Sequence, residues 1–118
     1  MNLYSESDAG VLIVRVEEKS LDVNNVQSFL SAFEVFKTPG AKIVLDLSQL
    51  NYIDSSACGA MLTCLRQLTS AGGGMKLCSA STNVRAILNM VRINRVFDMH
   101  ASPAEAVARY AAPAAVLS

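Results

Sequence analysis

The sequence has no tryptophan, one histidine, three cysteines, and no surplus of either charge. Ten lysines and arginines balance ten aspartates and glutamates. Without a basic excess there is little to neutralise a phosphate backbone, and the aromatics do not interleave with cations into a stacking platform. Direct nucleic-acid binding is therefore not expected. The first ten residues, MNLYSESDAG, lack the cationic and apolar blocks of a signal peptide. Uninterrupted apolar stretches end at four or five residues, far short of a membrane span. Cys58, Cys64 and Cys78 are odd in number and show no metal-like pairing, so they read as reduced core residues of a cytoplasmic protein. His100 has no partner cluster, and neither a metal site nor a catalytic site is expected.

What is present is apolar. Hydrophobic residues make up 52% of the 118 and charged residues 17%, the opposite of a disordered composition. That length suits one domain with a core of its own, expected over residues 1–112, with residues 113–118 as a tail.

The run from Gly10 to Glu17 is β-branched and partly alternating, with Asp8-Ala9-Gly10 as a turn and residues 2–6 as a partner strand. Val26, Phe29, Leu30 and Phe33 recur at helical spacing within Asn24–Lys37, with Asp22, Asn24 or Asn25 as the cap. Thr38-Pro39-Gly40 stops that helix. Lys42–Leu47 is almost continuously apolar, as in a strand covered on both faces. After a polar turn and the pair Tyr52-Ile53, a second helix carries Cys58, Met61, Leu62, Leu65 and Leu68 on one stripe. Ala71–Gly74 ends it, and Met75–Cys78 is another buried strand. Ser81 or Thr82 caps a third helix with Val84, Ile87, Leu88 and Val91 inward. Val96-Phe97 is expected as a last short strand, and Ser102-Pro103 opens a final helix. Strands alternating with helices predict an α/β fold: a mixed, largely parallel sheet of about four or five strands with about four helices.

In such folds, sites gather where strands end and helices begin. Here that point is Asp54-Ser55-Ser56, at the positive end of the second helix. Two readings coexist. Ser55 caps the helix while Asp54 complements its dipole, or the same geometry presents a hydroxyl that can carry a phosphate. Two rivals are weaker. Cys58 lies in the first helical turn, where a thiol pKa can fall, yet it belongs to the apolar stripe. Gly72-Gly73-Gly74 precedes a strand, whereas phosphate-binding glycines precede a helix.

The run from Ile43 to Gly59 resembles the STAS domain of bacterial anti-sigma-factor antagonists, whose mark is an apolar strand, a polar turn and an Asp-Ser-Ser/Thr-Gly-x-Gly helix entry. Leu21-Asp22, Gly72–Leu77, Val84–Leu88 and Val96-Phe97 are similar to further family segments in the same order, so that the likeness covers about residues 8 to 110. The resemblance implies a non-enzymatic partner switch that needs no cofactor of its own. It implies binding to an anti-sigma factor that is also a serine kinase, phosphorylation at Ser55 with Ser56 as second candidate, and reversal by a serine phosphatase. It places the partner surface on Asp22, Val23 and Asn24, then on Asp54, Ser55, Ser56, Ala57, Cys58 and Gly59. A weak homodimer stays open, as does an adaptor role without phosphorylation. One departure stands out: the family's first glycine is Ala57, whose methyl would either obstruct a partner's approach or stabilise the helix.

Overall fold

The computed structural model describes residues 1–111. The expected tail, 113–118, lies outside the described residues.

Strands β1 (Leu3–Asp8) and β2 (Val11–Val16) form the opening hairpin. Its two turn residues, Ala9 and Gly10, both have positive φ, which matches the twist of a tight hairpin. The two-residue strand β3 (Ser20–Leu21) leads to helix α1 (Val26–Phe33), which tightens into a 3-10 turn at Glu34–Phe36. Strand β4 (Lys42–Asp46), strand β5 (Tyr52–Ile53) and helix α2 (Ser55–Ser70) follow. Strand β6 (Gly74–Cys78), helix α3 (Thr82–Met90), a 3-10 turn at Ile93–Arg95, strand β7 (Met99–His100) and helix α4 (Pro103–Ala111) complete the order. The main sheet runs β1-β2-β4-β6-β7, antiparallel in the hairpin and parallel elsewhere.

Alternation along the strands assigns the two faces. Val14, Val16, Ile43, Leu45, Met75 and Leu77 share a core with Phe29 and Phe33 of α1, Met61 and Cys64 of α2, and Leu88 of α3. Their neighbours Val11, Ile13, Val44 and Cys78 meet Ala106 and Val107 of α4 on the other face. Both faces of β4 are covered, which is why its sequence is nearly all apolar. Gly73 marks a close approach: a Cβ there would collide with the backbone carbonyl oxygen of Ala41.

Three local expectations are corrected. The last strand is Met99–His100; Val96 is exposed and caps the preceding 3-10 turn, while Phe97 enters the core as a packing residue. Val91 points outward, since α3 ends at Met90 and the chain turns there through Arg92 at φ 59. On α2 the deepest stripe runs through Cys58, Met61, Cys64 and Leu68; Leu62 and Leu65 flank it half-buried. In addition, Tyr52-Ile53 pairs with Ser20-Leu21 in a second, two-stranded sheet.

Candidate functional site

That small sheet builds the site. β3 lies parallel to β5, with Ser20 opposite Tyr52 and Leu21 opposite Ile53. Asn51 N–H donates to the Lys19 carbonyl at 2.7 Å, and Asp54 N–H donates to the Leu21 carbonyl at 3.3 Å. Fully buried Leu21 and Ile53 hold the pair onto the core. The loop before α1 and the entry to α2 thus leave the molecule side by side.

Asp54 fastens them together. Its backbone is extended (φ −117, ψ −176), the usual shape of a helix cap. Oδ1 accepts the Ala57 N–H at 3.1 Å and the Ser56 hydroxyl at 2.5 Å. Oδ2 accepts the N–H of Val23, 31 residues away, at 2.9 Å. The Ser56 hydroxyl first, then the N–H groups of Ala57, Val23 and Ser56, hold the Asp54 carboxyl below its ordinary value against partial desolvation.

The loop before α1 is braced from within. Asp22 accepts the Asn24 N–H at 2.9 Å and the Ser20 hydroxyl at 3.2 Å. The Asn25 side chain accepts the Asp22 N–H and donates to the Ser20 carbonyl, both at 2.9 Å. Asn25 is the cap residue of α1, yet its side chain is spent on this loop and not on the helix. Val23 at the tip is 69% exposed.

The expectation that Ser55 caps α2 is corrected, because Asp54 takes that role and Ser55 becomes the first helical residue. Ser55 is exposed, and its hydroxyl makes no hydrogen bond among the described residues. Ser56 is half-buried and committed to Asp54. Ala57 and Cys58 lie under the surface, at 0% and 5% exposure, and pack into the core. The Ala57 methyl therefore stands clear of anything approaching from outside. Burial and then the Asp54 carboxylate push the Cys58 thiol up, away from a reactive thiolate. Gly59 is exposed, and a Cβ there would meet no atom within 4 Å.

Tyr52, 51% exposed beside this group, was missed from the sequence. Its signal was the period of two in Tyr52-Ile53: a strand that buries Ile53 turns Tyr52 outward.

The model of the STAS domain matches residues 3–106. The chain belongs to the STAS domain family. A Thermotoga maritima protein described as a candidate anti-sigma factor antagonist is 28% identical over 98 residues, spanning 81% of this STAS chain and 87% of the relative. Among solved structures, an anti-sigma-factor antagonist (STAS) domain protein from Planctomyces limnophilus superposes with a TM-score of 0.85 at 19% identity, covering 93% of this chain and 98% of the other. The Bacillus anti-sigma factor antagonist SpoIIAA in its unphosphorylated form gives 0.76 at 23% identity, covering 95% and 98%. SpoIIAA has also been solved phosphorylated; that form gives 0.66 at 22% identity, covering 92% of this chain and 99% of the other. At these identities the structural likeness establishes the STAS fold, with its mixed, largely parallel sheet. Among the described residues no helix is long and apolar enough to cross a membrane.

Proposed function

We propose that this protein is an anti-sigma-factor antagonist of the cytoplasm, whose binding to an anti-sigma factor with serine-kinase activity is switched off by phosphorylation of Ser55. A serine phosphatase restores it. The protein acts by binding, without a cofactor. The observation that carries this reading is the contrast between two adjacent serines: Ser55 is exposed with its hydroxyl unengaged, whereas Ser56 is held by Asp54. Phosphate on Ser55 adds about −1.5 to −2 charges at a helix N-terminus, where the dipole and free N–H groups tolerate it. Phosphate on Ser56 would instead remove a donor from Asp54 and set a dianion against that carboxylate.

The docking face comprises Val23, Asn24, Ser55 and Gly59, with Tyr52 at its edge. Asp22 and Asp54 shape it, and Ala57 and Cys58 support it from the core. In a docked complex a phosphate beside Asp54 is desolvated without a counter-charge, which costs several kcal/mol. Each 1.4 kcal/mol is tenfold in affinity, so binding is lost without refolding. The solution of SpoIIAA in both phosphorylation states supports the reading by likeness.

The test is peptide mapping of the protein isolated from its own cells, together with the partner that travels with it. Phosphate on Ser55 in unbound protein, and none in the bound fraction, is the expected result. An unmodified Ser55 in bound and free protein alike would overturn the switch and leave a constitutive adaptor.

A further inference from the structure

α3 packs beside β5 and also walls a crevice of about 270 Å³ at the carboxyl ends of β6 and β7. In parallel sheets this is where connections diverge and ligands bind. Met99, above its fully buried register neighbour Leu77, contributes apolar surface, with Ala80 beyond the end of β6. Arg85 and Asn89, one turn apart on α3, contribute a guanidinium and an amide. Arg85 forms no ion pair among the described residues, and no carboxylate belongs to the described lining. His100 also lines the crevice; its side chain is 8% exposed, and its Nδ1 lies 3.6 Å from Glu105. Its Nε2 is buried with no hydrogen-bond partner among the described residues.

We propose that this crevice is a binding site for a small organic anion, a carboxylate with a compact apolar body. Arg85 and Asn89 take the carboxylate, and the apolar body lies against Met99 and Ala80. A volume at the small end of ligand pockets favours such a compact molecule. The assignment does not depend on the role of Ser55.

The test is an amide NMR titration of the whole protein with benzoate, and with benzamide as its neutral isostere. Benzoate is expected to shift the signals of Cys78, Ala80, Arg85 and Asn89 saturably, and benzamide to shift them far less. Arg85→Gln is expected to weaken benzoate binding about tenfold, the loss of one charge-assisted hydrogen bond. Asn89→Leu should weaken it as well. Both positions are exposed, so both variants are expected to keep the spectrum of the folded chain. Ser55→Asp should bind benzoate as the wild type does, which separates this site from the switch. No saturable shift, an equal response to benzamide, or unchanged affinity in Arg85→Gln would overturn the proposal.

Discussion

Asp54 serves two structures with one carboxylate, capping α2 through Ala57 and Ser56 and tying down the Val23 loop. Its folded pKa lies below its ordinary value of 3.8, so the unfolded chain takes up the proton first as pH falls. The stabilisation is complete above that ordinary value and disappears as pH drops through the folded one. Asp54→Ala should therefore lower the melting temperature at neutral pH, with the gap to wild type narrowing in acid; a gap independent of pH would contradict this account. Gly59 makes the opposite case. It sits inside a helix where alanine is better by about 1 kcal/mol, and no neighbour obstructs a Cβ. Gly59→Ala should stabilise the fold by up to about that amount in urea denaturation. If the docking face is as proposed, the same change weakens partner binding.

At the scale of elements, the β3–β5 pair decides whether a site exists, since it is a clasp of two residues on each strand. Leu21→Ala should cost roughly 2–5 kcal/mol in chemical denaturation, as for a large-to-small change in a closed core. It should also loosen the alignment of the two loops, read as faster amide exchange at Val23 and Ser55. On the other face, Tyr110 of α4 donates its hydroxyl to the Ile43 carbonyl at 2.9 Å. Burial, with the Asp98 carboxylate adding to it, pushes the phenol up to about 12. The folded chain therefore holds that proton longer than the unfolded chain, and stability falls as pH rises from the ordinary value of 10.0 towards 12. Tyr110→Phe should cost roughly 1 kcal/mol at neutral pH and remove that alkaline decline, measured by denaturation across the alkaline range.

For the molecule as a whole, the proposed switch is a change of surface charge on a fold that stays put. Ser55→Asp should leave the unfolding free energy within about 0.5 kcal/mol, as for an exposed position, while partner affinity falls at least about tenfold. Ser55→Ala should bind as the wild type does and take up no phosphate. Calorimetric titration and an in vitro kinase assay with the isolated partner measure both. A Ser55→Asp protein that binds undiminished would remove the electrostatic basis of the switch.

Local pattern alone carried much of the fold. The helical spacing of Val26, Phe29 and Phe33, the unbroken apolar run of β4 and the Ser81 and Ser102 caps each depend on a few neighbouring residues, so they were legible. The motif around Asp54-Ser55-Ser56 was legible for the same reason. Tertiary structure decided the rest. Val96-Phe97 looks as strand-like as Met99-His100, and only register against Leu77 and Cys78 selects the latter. Whether Ser55 or Asp54 caps α2 depends on Asp54 being held extended by the Leu21 carbonyl and the Val23 N–H, both distant in sequence. The inward turn of Ala57 and Cys58 and the outward turn of Tyr52 and Gly59 follow from how α2 and β5 lie on the core. A chain specifies its elements through near neighbours, but which hydroxyl stands free at a surface is settled by contacts that close long loops.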